Sequence, residues 1–298
     1  MRPRVALVSA RAARDLDEDL PPLTAALAAA GIDATVVDWD DRQVDWAAFR
    51  LALLRSAWDY PERLAEFLAW ADRTATLTTL LNPPPVLRWN TDKHYLRELA
   101  RAGVPVVPTR FVEPGEHPQR ALEGFLREKR AAEWVVKPAV GAGSRDAARY
   151  ARSDDRVASR HLERLLEAGR SVMLQPYLDQ IDVHGETALI YFAGRFSHAV
   201  RKGPLLQRSA APTAALFAAE QITPRPPAAE ELQVGDLALA AVPFETPLYA
   251  RVDLIRSEGG RPCVLELELT EPSLFLAQTP GAAERLAQLC CHLPSLSR

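Results

Sequence analysis

Apolar runs and their periods divide the chain into three stretches of different character. Short apolar runs at 4–9, 33–39 and 49–55 read as buried strands, alternating with helical periodicity at 19–30, closed by Gly31, and at 60–74. Strand, helix, strand, helix at this spacing predicts an open parallel sheet with ligands at the carboxyl ends of its strands. Between 89 and 176 the runs shorten. Strands are expected at 106–112, 133–136, 147–150 and 171–175, with helices at 118–129 and 157–168. Beyond 177, paired runs at 186–192 and 195–202, then at 249–256 and 262–269, read as antiparallel hairpins covered by helices at 228–241 and 281–291. The segment 204–227 holds alanine and proline without a period, and is expected to order when ligands bind. Asn82-Pro83-Pro84-Pro85 marks the first boundary, because consecutive prolines cannot continue a helix and act as a stiff spacer. The expected organisation is an α/β domain at 1–88, a small lid at 89–176 and a larger antiparallel domain at 177–298, so α/β and α+β architecture share one chain.

The last hairpin carries the most informative chemistry. Residues two apart on a strand face the same side, so Glu266 and Glu268 project together, Leu265 and Leu267 are expected in the core, and pairing brings Asp253 alongside. Three carboxylates on one buried face repel unless cations offset the charge, and Mg²⁺ prefers such oxygen ligands. Acids facing water on an exposed strand are the competing interpretation for Glu266 and Glu268.

Two lysines lie where phosphate ligands would be placed. Lys137 follows a short strand and precedes the small-residue loop Gly141-Ala142-Gly143-Ser144, whose backbone N–H groups could approach phosphate closely. Lys93 falls in a helix expected to be capped by Thr91 or Asp92 and to end at Gly103. A cation in a first helical turn opposes the helix dipole, so its expected partner is another anion. Taken singly these signals are weak, since a lone Lys in a helix is usually a solvated side chain and a Gly-Ala-Gly-Ser run is common in ordinary turns.

The carboxyl ends of the first sheet carry Ser9-Ala10-Arg11 and Arg55-Ser56-Ala57-Trp58-Asp59-Tyr60. These could orient a small zwitterion, with Arg55 on a carboxylate, Asp59 on an ammonium and Trp58 or Tyr60 as a wall that excludes water. Asp59 is also a good helix cap before Pro61, and the two roles are compatible.

Composition removes other classes. A net charge of −3 with interspersed signs over 298 residues gives no nucleic-acid footprint. No apolar run has membrane-spanning length and no signal-peptide core opens the chain, so a cytoplasmic protein is expected. Cys263, Cys290 and Cys291 lack paired spacing for a disulfide scaffold or zinc site. No Ser/His/Asp or Cys/His constellation is evident; His94, His117, His161, His184 and His198 are scattered and read as surface or packing residues.

In this order, from Asn90 to Ser273, these features resemble the ATP-grasp superfamily of carboxylate–amine ligases. The resemblance implies that Lys93 and Lys137 contact the α- and β-phosphates of ATP and that the loop with Gly141, Gly143 and Ser144 closes over them. Gln175-Pro176-Tyr177-Leu178 takes the place of the hinge that holds adenine, with Gln175 where many members have Glu. Asp182 and Glu186 are both candidates for the ribose hydroxyls. Lys202 resembles the residue that reaches the γ-phosphate, and Arg251 the arginine that polarises the substrate carboxylate. Two Mg²⁺ ions are implied at Asp253, Glu266 and Glu268, the last standing where many members carry Asn. Thr270-Glu271-Pro272-Ser273 takes the place of a small-residue loop that contacts substrate, with Ser273 the candidate. At finer level LLRSAWDYPERLAEFLAW, QPYLDQIDVHGETALIYFAGRFSHAVRKGP and VLELELTEPSLFL resemble the antibiotic-forming branch that contains the cycloserine-producing O-ureido-serine cyclo-ligase. That implies ATP-driven closure of O-ureido-D-serine, needing one amino-acid pocket. An intermolecular amino-acid or peptide ligase, with a second amine substrate, is the alternative, and a nucleotide-binding protein without catalysis is a third reading. The oligomeric state stays open, a dimer included.

Overall fold

A computed structural model of the chain describes residues 2–129, 132–206 and 221–296. The described residues build three sheets. The first, in order β2-β1-β3-β4, is parallel and contains β1 (Arg4–Ser9), β2 (Asp33–Asp38), β3 (Leu51–Ser56) and β4 (Thr79–Leu81). Its central strands β1 and β3 are mostly apolar because both faces are covered, whereas the edge strand β2 is partly exposed. Val5 and Leu7 pack towards α1 (Leu20–Ala29) and the C-terminal α9 (Ala282–Cys291), while Ala6 and Val8 pack with Phe67 and Trp70 of α2 (Leu64–Ala75). β4 is a strand that the apolar pattern did not single out, since three residues are too few to show a period.

Three prolines do not form the expected spacer. Pro84 and Pro85 open α3 (Pro84–Asn90), where the first turn requires no N–H partner and the fixed φ suits a helix. The helix expected to hold Lys93 starts later, as α4 (Tyr95–Arg101), and leaves Thr91, Asp92 and Lys93 in the preceding turn. Asp92 accepts the His94 N–H at 3.1 Å.

The second sheet, β5-β8-β6-β7, comprises β5 (Arg110–Val112), β6 (Glu133–Pro138), β7 (Ala148–Ala151) and β8 (Val172–Pro176), all antiparallel. α5 (Pro118–Lys129) and α6 (Asp155–Glu167) cover it through Phe125, Leu162 and Leu165. The single strand expected at 106–112 is divided. Val107 donates to the Val264 carbonyl at 3.0 Å, at the edge of the third sheet, and only Arg110–Val112 joins the second. Pro105 and Pro108 flank this segment, and a proline supplies no ladder donor, so the chain changes partner there.

The third sheet, β11-β10-β9-β12-β13, contains β9 (Glu186–Phe192), β10 (Arg195–Lys202), β11 (Ile222–Pro224), β12 (Tyr249–Arg256) and β13 (Pro262–Glu268). β11 gives part of the 204–227 segment a regular place on the sheet edge. Residues 207–220, on which most of that segment's expected ordering falls, lie outside the described residues. Leu189, Tyr191, Ala250 and Val252 face α4 and α8 (Ala229–Ala240), whereas Ala188, Ile190 and Tyr249 face the first sheet. Buried His198 is neutral in character, its pKa pushed down to about 4 by burial, and its Nε2 meets the Leu274 carbonyl at 2.8 Å. Cys263 and Cys290 are buried, Cys291 is half-buried, and all three are free thiols.

Before β9, α7 (Gln180–His184) ends at Gly185, with φ 70° and ψ −166°, a region open essentially only to glycine. A Cβ there would lie 2.3 Å from the Lys202 carbonyl oxygen. Gly185→Ala should therefore lower unfolding free energy by about 2 kcal/mol or more, measured by denaturant titration. A change within experimental error would show that the β9–β10 start can yield.

Candidate active site

The three sheets enclose a cleft of about 310 Å³. Its floor is the face of the third sheet opposite α8. Strand pairing sets Asp253 opposite Glu266 and Arg251 opposite Glu268. Ordinary alternation would put Val264 on the same face as Glu266. A bulge between Asp253 and Leu254 inserts Leu265, so Val264 stays in the core while Glu266 and Glu268 face the cleft. Leu267 enters the core as expected, but Leu265 lines the cleft beside Tyr177 and Leu178 instead.

The acids are laced to cations. Lys202 donates to Glu186 at 2.9 Å and Asp253 at 3.1 Å; Arg251 holds Asp253 through Nε at 2.9 Å and also contacts Glu268. Lys93 spans from Glu266 at 2.9 Å to the Gly141 carbonyl at 2.7 Å; it has an anionic partner, although it stands ahead of α4 and not in the first helical turn on which that expectation rested. Burial opposes ionisation of Glu266 and Asp253. Lys93 and Lys137 for the first, Arg251 and Lys202 for the second, outweigh burial and hold both below the ordinary carboxylate range. Burial also disfavours charge on Lys93, but Glu266 beside it wins and its pKa is raised. For Lys137 burial prevails and the pKa is lowered.

The balance fails for two acids. Glu268 is pushed up to about 7 by burial, with Arg251 opposing and Glu266 and Asp253 reinforcing. Glu271 is raised well above the usual range by burial and by Glu268; it also hydrogen-bonds Tyr60. The carboxylates Glu186, Asp253, Glu266, Glu268 and Glu271 thus share the cleft with Lys93, Lys137, Lys202 and Arg251, while Asp17, Glu18, Asp19 and Arg145 line it as well. The uncompensated negative charge and the oxygen donor set fit a hard divalent cation. Among the described residues no three or more acidic, histidine or cysteine side chains stand ready as a chelating cluster, and the lysines and Arg251 occupy carboxylate oxygens here.

Above this floor lie Lys137 and the 141–144 loop, in which Gly143 and Ser144 both adopt left-handed φ, at 62° and 60°. Gln175, Tyr177 and Leu178 form the side wall, Gln175 being held by the Thr109 hydroxyl at 2.8 Å. Of the two ribose candidates, Glu186 lines the cleft. Asp182 is outside it, taken up by Tyr177 and Arg149.

The first sheet contributes differently from expectation. Trp58 and Tyr60 line the cleft, as does Ser273. Ser9 and Ser56 are buried against each other at 2.8 Å, and Arg11 is exposed away from the cleft. Asp59 neither caps a helix nor reaches the cleft: it accepts from Trp39 Nε1 at 2.8 Å and from Arg63 at 2.6 Å. Arg55 is fully buried behind the wall, donating to the Pro272 carbonyl at 2.8 Å and facing Asp19 at 3.4 Å. Aromatic and hydroxyl groups in a strand-end loop were legible, but which of them turned inward was not.

Several cleft residues had no sequence signal. Asp19 reads as the start of α1, yet its carboxylate makes no cap there. It accepts the N–H groups of Leu274 at 2.5 Å and Leu276 at 2.6 Å instead. These bonds flank Phe275, a cleft residue in the left-handed region at φ 52°. Asn90 similarly accepts the Leu269 N–H at 2.6 Å and donates to the Leu267 carbonyl at 2.8 Å. Contacts made across so many residues leave no local pattern.

The comparisons with known proteins agree in direction. The family described as D-cycloserine synthetase DcsG, N-terminal domain, matches residues 5–82. The chain is 43% identical over 290 residues to cycloserine biosynthesis protein DcsG of Streptomyces lavendulae, covering 95% of this chain and 96% of that protein. A crystal structure of D-cycloserine synthetase DcsG superposes with a TM-score of 0.89 at 42% identity, covering 96% of this chain and 98% of that one. The ATP complex of D-alanine–D-alanine ligase from Bacillus anthracis gives a TM-score of 0.68 at 17% identity, over 97% and 95% of the two chains, which shows a shared fold.

The raised Glu268 pKa has a stability consequence. The folded chain binds this proton more tightly than the unfolded one, so the contribution is full below about 4.5 and is lost as pH rises through about 7. Glu268→Gln should raise the melting temperature of the ligand-free protein more at pH 8 than at pH 5. Equal shifts at both values would contradict the assigned charge imbalance.

Proposed function

The chain belongs to the cycloserine-biosynthesis branch of the ATP-grasp ligases, an ATP-dependent C–N ligase, and from that premise we propose that it cyclises O-ureido-D-serine to D-cycloserine with Mg²⁺-ATP. The observation that carries the site assignment is the convergence of three lysines and Arg251 with Asp253, Glu266 and Glu268 on one cleft. A carboxylate is a poor acyl donor, since its leaving group would be oxide. Phosphorylation by ATP turns it into an acyl phosphate, which the ureido nitrogen attacks to form the ring C–N bond and release phosphate. The carbamoyl group then leaves as carbon dioxide and ammonia after hydrolysis.

Little in this chemistry calls for a protein nucleophile; positioning and charge neutralisation carry it. Lys93, Lys137 and the N–H groups around Gly141, Gly143 and Ser144 hold the α- and β-phosphates, and Lys202 the γ-phosphate. Gln175, Tyr177 and Leu178 seat the adenine with Leu265 beneath it, and Glu186 takes the ribose hydroxyls. Arg251, next to Ser273 and Phe275, holds the substrate carboxylate and the oxygens of the acyl phosphate. Asp253, Glu266 and Glu268 would hold the two Mg²⁺ ions, whose charge offsets that of the phosphates. With nucleotide and metal bound, Lys93, Lys137 and Lys202 would face the phosphates, and Asp253, Glu266 and Glu268 would be freed to hold the metal ions. The paired acids and lysines therefore hold both halves of the binding site in one network.

Mass spectrometry of the product from ATP and O-ureido-D-serine tests the reading. ADP release with formation of cycloserine and no added amine is the expected outcome; ADP release only when a second amine is present would establish an intermolecular ligase. Lys93→Met and Lys137→Met should each weaken ATP binding by about tenfold to a hundredfold by calorimetry, the worth of one charge-assisted contact. Unchanged affinity in both would remove these lysines from the phosphates. Glu266→Gln should abolish most turnover while leaving the melting temperature close to that of the parent.

A further inference from the structure

One wall of the cleft carries a carboxylate oxygen that the protein leaves without a partner. Asp17, in the turn before α1, lines the cleft and is 4% exposed. Its Oδ1 accepts the Asp19 N–H at 3.0 Å, and its Oδ2 is buried with no hydrogen-bond partner. A carboxylate oxygen removed from water and left unpaired is costly, so such an atom at a cleft wall marks a place where a ligand donor completes the site.

Local charge points to a cation. Asp17 adjoins Asp19, whose carboxylate is engaged by the Leu274 and Leu276 N–H groups and faces Arg55 at 3.4 Å. Arg55 is also held by the Pro272 carbonyl, and Glu18 adds a further acid to the same wall. The guanidinium of Arg55 addresses Asp19, and Asp17 Oδ2 has no hydrogen-bond partner. A primary ammonium brings one positive charge and three donors, and matches the open oxygen.

Position narrows the ligand. Asp19 ties this wall to Leu274 and Leu276, while Arg251 Nη1 donates to the Ser273 carbonyl at 3.1 Å. Asp17, through its hydrogen-bonded neighbour Asp19, and Arg251 are thus tied to the same short loop and line the same cleft. An α-amino acid carries its ammonium and carboxylate on one carbon and needs its two recognition groups to be neighbours in this way. We infer that Asp17 receives the α-ammonium of the amino-acid substrate, and so selects substrates that carry a free amine beside the activated carboxylate. The inference rests on the proposed ligase reading, and it places the amine-reading group three residues before α1 rather than at Asp59.

Asp17→Asn separates this role from a structural one, because the amide oxygen can keep the Asp19 N–H bond while the charge is lost. Calorimetric titration with O-ureido-D-serine, and with its analogue bearing hydrogen in place of the amine, is made on parent and variant in the presence of a non-hydrolysable ATP analogue. The variant should bind O-ureido-D-serine about tenfold more weakly or worse, with affinity for the amine-free analogue and for nucleotide unchanged within about twofold. Steady-state assays should show the same pattern as a rise in the amino-acid KM with ATP KM unaltered. Equal weakening for both ligands, or no weakening for either, overturns the role of Asp17. Parent protein that binds O-ureido-D-serine without turning it over overturns the cyclo-ligase reading and leaves the titration to judge Asp17, whereas a parent that binds neither ligand overturns both.

Discussion

The arrangement depends on a concentration of carboxylates that a buried sheet face tolerates only when matched by cations. Asp253, Glu266 and Glu268 cannot be ionised together there without partners, and the fold recruits those partners from three directions. Lys93 comes from the turn ahead of α4, Lys202 from β10, across β9 from β12, and Arg251 from the same strand as Asp253. Each cation is thereby placed at the cleft, so one electrostatic requirement both closes the floor and stations the groups that a polyphosphate needs. The imbalance that remains, visible at Glu268 and Glu271, is on the negative side, which suits metal ions arriving with the nucleotide.

Backbone irregularities do much of the aiming. The bulge at Leu265 allows one strand to supply Val264 to the core and Glu266 to the cleft, which unbroken alternation forbids. Gly185 turns the chain so close to the Lys202 carbonyl that an added Cβ would lie 2.3 Å from its oxygen, and so delivers Glu186 to that lysine. Phe275 holds a left-handed conformation between two N–H groups pinned by Asp19. Strain at such positions is retained because surrounding hydrogen bonds determine it.

The first sheet serves the site from behind. Arg55 and Asp19 do not touch the cleft contents through the roles that their positions suggested; they fix the 272–276 loop from the opposite side. Asn82 and Asn90 do the same for β12 and β13, with Asn82 donating to the Tyr249 carbonyl at 3.1 Å. This wall of the cleft is thus assembled from segments more than two hundred residues apart, and its shape follows from packing between sheets rather than from any one of them.

Much was legible in the order of residues alone. The parallel and antiparallel sheets follow from apolar runs and their periods, and the pairing of Glu266 and Glu268 on one face follows from the two-residue repeat of a strand. Lys93, Lys137, Lys202 and Arg251 could be singled out because phosphate and carboxylate chemistry needs cations near flexible loops and strand ends, and the resemblance to ATP-grasp ligases ordered them. Which of Asp182 and Glu186 faces the cleft, that Leu265 leaves the core, that Asp59 is spent on Trp39 and Arg63, and that Asp17 keeps one oxygen open were decided only by tertiary structure. Periodicity reports the neighbours a residue has along the chain. A bulge, a partner across sheets or an unpaired buried atom depends on which distant segment arrives beside it, and that is settled when the sheets pack.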